Sequence, residues 1–113
     1  MKRGEIYYAN LDPAIGSETA KSRPVLIISN DINNRAANTV TVLPITSNVE
    51  RVYPFEVFLQ PTDSGLPLPS KVQAQQIRTI SKQRITIALF MSLKYRVLSL
   101  RQEAGGRGQE GIL

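Results

Sequence analysis

Residues 21–48 read KSRPVLIISNDINNRAANTVTVLPITSN, and this stretch decides the fold. Two segments within it, residues 24–29 and 39–45, are rich in the β-branched residues typical of strands. The first is apolar almost throughout, which predicts a strand buried on both faces. About nine residues join the two strands, too few for a parallel crossover, so they are expected to pair antiparallel as a hairpin. The joining residues predict a turn with one helical turn, capped by Asn30 or Asp31.

The hairpin brings two polar residues together at its open end. Arg23 comes just before the first strand and Thr46 just after the second, so antiparallel pairing places them side by side. The loop that carries Glu18 and Lys21 lies next to them. A guanidinium and a hydroxyl suit the oxygens of a phosphate group, which predicts a small anion site. An arginine that merely extends into solvent, beside a threonine that begins a turn, fits the same residues.

The remaining residues up to about 80 predict a small, mainly β domain with short helices. Further strands are predicted at residues 5–10, 55–59 and 71–80. Residues 11–22 form a loop, marked by Pro13 and Gly16, of a length that often has a function. Residues 60–70 form a connection rich in proline and glycine.

The end of the chain has a different pattern. From residue 88 onward, Leu89, Leu93, Val97 and Leu100 recur at helical spacing, which predicts an amphipathic C-terminal helix. The glycine-rich residues 104–113 have little to bury and are expected to be flexible. We therefore interpret the chain as one domain over residues 1–103, followed by a short tail.

Composition excludes several kinds of chemistry. The chain has no cysteine and no histidine, so it has neither a thiolate nucleophile nor an imidazole to carry protons or bind a metal. It also has no apolar run of membrane-spanning length and no signal-peptide pattern at its N-terminus. We expect a soluble, cytoplasmic protein with no membrane partner.

The positive charge is unevenly distributed. Residues 1–70 hold six Lys/Arg and seven Asp/Glu, a net charge of −1, whereas residues 71–113 hold eight and two, a net charge of +6. A positive surface of this kind attracts a phosphate backbone or an acidic protein. A basic surface that only confers solubility accounts for the charge equally well.

Five stretches of the chain occur in a specific order and spacing. They are RGEIYYANLDP at 3–13, GSE at 16–18, RPVLIISND at 23–31, LPITSN at 43–48, and QIRTI with KQRI at 76–85. Together they resemble the MazF/PemK/Kid toxins, which are ribonucleases of bacterial toxin–antitoxin pairs. The likeness covers residues 1–87. It implies an SH3-like β-barrel with short helices, in a homodimer whose two subunits form the RNA-binding groove.

The resemblance also implies a reaction and a partner. The reaction is cleavage of single-stranded RNA at short sequences, without metal or cofactor, leaving a 2′,3′-cyclic phosphate and a 5′-hydroxyl. The partner is a MazE-like antitoxin whose acidic segment occupies the RNA groove. The family's catalytic arginine and threonine correspond to Arg23 and Thr46, the pair that the hairpin brings together.

Six further residues are candidates for binding RNA. Glu18, Gln76 and Arg78 match positions that the family uses near its groove, while Lys21, Ser47 and Asn48 flank the predicted site. Glutamine can read base edges, and arginine can contact phosphate or bases. A polar strand residue that faces solvent is the alternative for Gln76, and ordinary loop chemistry is the alternative for the three flanking residues.

The sequence leaves the general base open. Arginine stays protonated in proteins, so it is ill suited to remove a proton. Gln75 stands where some family members have an acidic residue, and Glu18 is the nearest remaining carboxylate. A different class of function therefore stays open: a non-catalytic or degenerate module of the same fold that binds an antitoxin or, like CcdB, a topoisomerase.

Overall fold

The structure, a computed structural model, describes residues 1–92 of the 113, and the side chains of residues 1–86. The described elements are β1 (Glu5–Asn10), β2 (Ser22–Ile27), α1 (Asp31–Ala36), β3 (Thr39–Thr46), β4 (Glu56–Leu59), α2 (Pro61–Ser64), β5 (Ser70–Gln73), β6 (Arg78–Ser81) and β7 (Ile85–Ser92). The mainly β class with short helices is thus confirmed. No helix in this part of the chain is long and apolar enough to cross a membrane.

All strand pairs are antiparallel, and β3 is the central strand. The sheet order is β4-β5-β3-β2-β1-β7, with β6 also paired to β3. One edge of β3 pairs with β2, while the other edge pairs with β6 near its start and with β5 near its end. Because the end of β3 lies between β2 and β5, residues of three strands meet where the predicted site lies.

The core lies on both faces of the β2–β3 pair. Leu26 and Leu43 belong to one buried cluster, whereas Val25, Ile27 and Val42 belong to a second. Successive side chains of a strand point to opposite faces, so β2 contributes to both clusters in turn. This confirms the prediction that the apolar segment is buried on both faces.

The predicted hairpin is present, with the expected register. Val25 pairs with Pro44 and Leu26 with Leu43, and the same register places Arg23 opposite Thr46. The first strand ends two residues earlier than predicted, because the amides of Ile28 and Ser29 both donate to a single carbonyl oxygen, that of Thr41, at 2.9 and 3.3 Å. The helical turn is α1, and Asn30 caps it by accepting a hydrogen bond from the amide of Asn33 at 2.8 Å.

The prediction of one strand over residues 71–80 was wrong. The segment is divided into β5 and β6 by a single 3-10 turn, Ala74–Gln76. Val72 on β5 pairs with Ile45, and Ile80 on β6 pairs with Val40. Both strands thus pair with the same edge of the eight-residue strand β3, β6 near its start and β5 near its end. The 3-10 turn connects β5 to β6.

The prediction of a helix beginning at residue 88 was also wrong for residues 88–92. These residues are the end of β7, whose backbone pairs with β1 through Ile6 opposite Met91 and Glu5 opposite Ser92. β2 pairs with one edge of β1, and β7 pairs with the other edge. The backbone N–H and C=O groups of that second edge thus have hydrogen-bond partners. The rest of the predicted helix, the domain boundary at 103 and the tail at 104–113 lie outside the described residues.

Candidate active site

Arg23 and Thr46 are in contact, as the hairpin predicts. Nη1 of Arg23 donates to Oγ1 of Thr46 across 3.3 Å. Thr46 is buried, with 9% of its surface exposed, and Arg23 is half-buried. Arg23 at the start of β2 and Thr46 at the end of β3 therefore form one polar unit at the end of the sheet.

Both side chains are oriented by backbone groups. Nε of Arg23 donates to the carbonyl oxygen of Ala20 at 2.8 Å, which directs the rest of the guanidinium toward Thr46. Oγ1 of Thr46 also accepts a hydrogen bond from the amide of Asn48 at 3.2 Å. Since the threonine oxygen accepts both bonds, its own proton is left for donation. The pair thus offers N–H and O–H donors to an anion.

The pair lies at a pocket of about 450 Å³. Apolar side chains form much of its wall, namely Tyr8, Pro24, Ile45, Leu66, Pro67 and Leu68, and three serines, Ser22, Ser47 and Ser70, complete it. Gly65 ends α2 in the left-handed conformation, with φ of 77°, and the following residues turn into this wall. In such partly apolar surroundings, hydrogen bonds to a charged ligand are stronger than in open water.

The four predicted RNA-binding residues of the loops, Glu18, Lys21, Ser47 and Asn48, are exposed. Ser47 lines the pocket, and Asn48 follows directly. Glu18 is exposed on the long loop, where its carboxylate accepts the amide of Ile15 at 2.9 Å. Lys21 is exposed at the base of the same loop and has an unusual positive φ of 69°. Ser47 is the one of these four residues that lines the pocket, and Arg23 contacts the hydroxyl of Thr46 rather than any of the four side chains.

Gln76 and Arg78 contact the long loop instead. The amide of Gln76 accepts from the backbone N–H of Thr19 and donates to the carbonyl of Ser17, both at 3.1 Å. Nη1 of Arg78 donates to the carbonyl of Leu11 at 3.1 Å. Both predicted residues therefore fasten the two ends of the loop to the sheet.

A buried ionic network on β4 and β5 was not predicted from the sequence. Nζ of Lys71 lies 2.9 Å from Oε1 of Glu56, and the two side chains are 9% and 1% exposed. Lys71 also donates to the carbonyl of Arg51 at 2.6 Å, and Gln75 donates to Oε2 of Glu56 at 2.6 Å. A single acidic residue within the apolar segment FEVFL was the available signal. Gln75, which was noted in the sequence as standing in place of an acidic residue, thus donates a hydrogen bond to the carboxylate of Glu56.

The network fixes the charge of Glu56. Burial by itself raises the pKa of the Glu56 carboxyl, but hydrogen bonds from Lys71, Gln75 and the Tyr53 amide, together with the charge of Lys71, outweigh it. The pKa of Glu56 therefore lies below its ordinary value. The carboxylate is held ionised within the fold.

We expect this network to make the fold sensitive to acid. A lowered pKa in the folded state stabilises the fold above the unfolded value of about 4.3, and this contribution is lost as the pH falls through the folded pKa. The free energy of unfolding in urea, measured between pH 7 and pH 3, should fall more for the wild type than for Glu56→Gln. Equal decreases in the two proteins would contradict the assignment.

Basic residues late in the described part of the chain also tie segments together. Nζ of Lys82 donates to the carbonyl of Asn34 at 2.6 Å, and Nη1 of Arg84 donates to the carbonyl of Asn10 at 3.1 Å. Part of the positive charge noted in the sequence thus serves the fold. Within residues 1–92, no three acidic, histidine or cysteine side chains are grouped so as to hold a metal ion.

The fold and these contacts together define a class of protein: a small antiparallel β domain with an arginine–threonine pair beside a pocket at the end of its sheet. The family model described as PemK-like, MazF-like toxin of type II toxin–antitoxin system matches residues 2–98. The chain belongs to this family. The match extends past residue 87, where the resemblance read from the sequence ended.

Two sequence relatives and one solved structure illustrate the membership. Endoribonuclease MazF9 of Mycobacterium tuberculosis is 47% identical over 90 residues, which are 75% of this chain and 76% of that protein. Endoribonuclease EndoA of Bacillus subtilis is 42% identical over 87 residues, 76% of this chain and 75% of that protein. The crystal structure of MazE-MazF (Form-II) from Deinococcus radiodurans matches with a TM-score of 0.66 and 25% identity, over 93% of this chain and 92% of that chain.

Proposed function

We propose that this toxin is an endoribonuclease that cuts single-stranded RNA, with mRNA as its target, at short specific sequences. Its family and the endoribonuclease names of MazF9 and EndoA support the activity. The single observation that carries the proposal is the 3.3 Å contact between Arg23 and Thr46 at the pocket. A cation and a hydroxyl that converge on one point suit a phosphodiester.

The proposed reaction is attack of a ribose 2′-oxygen on the neighbouring phosphorus. The 2′-hydroxyl loses its proton as its oxygen bonds to phosphorus, the bond from phosphorus to the 5′-oxygen breaks, and the 5′-oxygen takes up a proton. The products are a 2′,3′-cyclic phosphate and a 5′-hydroxyl. Negative charge grows on the non-bridging oxygens, where the guanidinium of Arg23 and the hydroxyl of Thr46 donate. Positioned donors contribute about 3 to 4 kcal/mol each in such sites, and we propose that these donors stabilise the charge in place of a metal or cofactor.

The group that removes the proton of the 2′-hydroxyl is a separate question from the role of Arg23 and Thr46. The described residues that line it include no carboxylate. Glu18 is exposed on the long loop, and both oxygens of Glu56 accept hydrogen bonds within the buried network. Because arginine stays protonated in proteins, we assign Arg23 and Thr46 to stabilising charge and holding the phosphate, and not to removing the proton of the 2′-hydroxyl.

We further propose that the RNA follows the loops around the pocket, in a groove formed by two copies of the chain in the cytoplasm. Lys21, Ser47 and Asn48 would hold the backbone, while Glu18 and Arg78 would contact bases or phosphates nearby. The exposure of Glu18, Lys21, Ser47 and Asn48 supports this arrangement. Gln76 belongs to the same rim, although both ends of its amide bind the loop.

An antitoxin is the proposed protein partner. One solved structure that matches this chain is a MazE-MazF complex, which supports a MazE-like antitoxin for this toxin. An acidic segment would compete with RNA for Arg23 and the exposed cations beside it. The relatives named above give no support to the alternative of a non-catalytic or CcdB-like module.

The activity is tested by incubating the purified protein with a long single-stranded RNA in EDTA. We expect discrete fragments that carry a 2′,3′-cyclic phosphate and a 5′-hydroxyl, and sequencing their ends identifies the recognition sequence. Intact RNA, or cleavage that requires an added metal ion, would contradict the proposal. Binding of antitoxin without cleavage would point to the non-catalytic module.

Replacement of Thr46 by valine tests the hydroxyl at nearly constant shape. We expect kcat to fall about 30-fold, which corresponds to about 2 kcal/mol for a hydrogen bond to a charged group. Thr46→Ser keeps the hydroxyl and should retain most of the activity. Single-turnover cleavage of a short RNA measures both variants, and equal rates for valine and serine would exclude a role for the hydroxyl.

A further inference from the structure

The long loop between β1 and β2 is fastened to the end of β5 and the 3-10 turn after it by two glutamines. Gln76 in the 3-10 turn accepts from the Thr19 amide and donates to the Ser17 carbonyl. Gln73 at the end of β5 accepts a hydrogen bond from Oγ1 of Thr19 at 2.8 Å. We call Gln73, Gln76 and Thr19 the clasp.

The loop residue next to the clasp orients the catalytic arginine. Ala20 follows Thr19, and its carbonyl oxygen accepts the hydrogen bond from Nε of Arg23 at 2.8 Å. The chain reverses at Lys21, whose φ of 69° is costly for a residue other than glycine and persists only where neighbouring contacts enforce it. The direction of the Ala20 carbonyl therefore depends on how firmly the loop is held.

The clasp also sets the position of Arg23 relative to Thr46. β5, which carries Gln73, pairs with the end of β3 through Lys71 opposite Thr46. The strand that holds Thr46 and the loop that holds Arg23 are thus linked through β5. These contacts run from the strand that carries Thr46, through β5 and the loop, to Arg23. The guanidinium of Arg23 and the hydroxyl of Thr46 are 3.3 Å apart.

We propose that Gln73 and Gln76 are positioning residues that set the geometry of Arg23 through Thr19 and Ala20. The inference rests on the proposed ribonuclease activity. Both ends of the Gln76 amide are used by backbone groups of unambiguous polarity, an N–H and a carbonyl, which fixes the orientation of the amide. The two bonds to the loop use one N–H and one oxygen lone pair of the Gln76 amide, so holding the loop and reading a base are separate roles that kinetics can distinguish.

The kinetic test compares substitutions that break the clasp with one that preserves it. Gln76→Ala removes the bond from the Thr19 amide, and Gln73→Leu removes the bond from the Thr19 hydroxyl. Gln73→Glu keeps an oxygen that accepts the bond from the Thr19 hydroxyl. Displacement of a catalytic group by about 1 Å costs up to about 100-fold, so we expect both disruptive variants to lower kcat about 10- to 100-fold with little change in KM. Gln73→Glu should retain the wild-type kcat, and so should Gln83→Ala, a control at an exposed glutamine.

Coupling to Arg23 separates positioning from a general loss of structure. In an Arg23→Lys background the bond from Nε to Ala20 is already gone, so adding Gln76→Ala should cost less than about threefold. A second readout needs no RNA: exchange of the Arg23 Nε proton with water, followed by NMR, should be slow in the wild type and faster in Gln76→Ala.

Two outcomes would overturn the proposal while leaving the ribonuclease function intact. One is a wild type that cleaves RNA and a Gln76→Ala variant with unchanged kcat and altered sequence preference, as base reading requires. The other is equal exchange of the Arg23 Nε proton in the two proteins. If the wild type itself fails to cleave RNA, the proposed function fails, and the exchange measurement still decides whether the clasp orients Arg23.

Discussion

Arg23→Ala is expected to lower kcat for RNA cleavage by about 10²- to 10³-fold, the cost of removing a positioned donor from developing charge. The guanidinium contacts Thr46 and also lies at the pocket where the phosphate is proposed to bind. Arg23 is only half-buried at the start of β2, so the fold should persist without it. Single-turnover cleavage measures the loss, and circular dichroism confirms the fold.

Two further variants show whether charge or geometry is responsible. Arg35→Ala removes an equal charge from an exposed position on α1, at the other end of the β2–β3 hairpin, and should cleave like the wild type. Arg23→Lys keeps the charge but lacks the planar set of donors, so it should remain at least about tenfold impaired. An Arg23→Ala variant that cleaves at the wild-type rate would exclude the proposed mechanism.

The largest effect on stability is expected from Lys71→Met. The substitution leaves the carboxylate of Glu56, which is 1% exposed, without the cation 2.9 Å away. Removing one partner of a buried ion pair typically costs about 3–5 kcal/mol. For a domain of this size each kcal/mol lowers the melting temperature by about 4–8 °C. We therefore expect urea unfolding to show a much smaller free energy of unfolding for Lys71→Met than for the wild type, and thermal unfolding to show a much lower melting temperature.

The double variant Lys71→Met, Glu56→Gln is the control for this prediction. The amide of glutamine retains an acceptor for the Tyr53 N–H, which bonds Oε1 of Glu56 at 3.0 Å, and introduces no buried charge. We expect it to recover most of the stability that Lys71→Met loses, because a buried ion pair replaced as a whole is often close to neutral. A double variant no more stable than Lys71→Met would show that the loss does not come from the unpaired carboxylate of Glu56, and would point to the broken bond from Lys71 to the Arg51 carbonyl.

The hairpin and the contact between Arg23 and Thr46 were predictable because they depend on local rules. Apolar segments and a short connection fix the antiparallel pairing of β2 and β3, and pairing alone places Arg23 beside Thr46. The cap of α1 at Asn30 follows from the same kind of local preference. These features need no information from distant parts of the chain.

The division of residues 71–80 and the course of residues 88–92 depend on distant partners. β5 and β6 share one edge of β3, and β7 pairs with β1, which lies about eighty residues earlier in the chain. A helical spacing of leucines does not report an unpaired strand edge, so β7 was missed. Tertiary pairing overrides local periodicity in such segments.

Contacts between residues distant in the chain also explain why the bonds of Gln76 and the Glu56–Lys71 pair were not predicted from the sequence. The resemblance placed Gln76 near the RNA groove, but its bonds to Ser17 and Thr19 join residues almost sixty positions apart. The buried pair Glu56 and Lys71 likewise links β4 to β5. Contacts of this kind become visible only when the folded chain brings the side chains together.

A structure of the toxin with bound RNA tests the central claim most directly. The RNA should contain the recognition sequence mapped from fragment ends, with a 2′-deoxyribose at the cleaved position so that it cannot react. We predict that the scissile phosphate lies within hydrogen-bonding distance of both the Arg23 guanidinium and the Thr46 hydroxyl. A scissile phosphate bound elsewhere, with Arg23 and Thr46 in contact only with each other, would contradict the account.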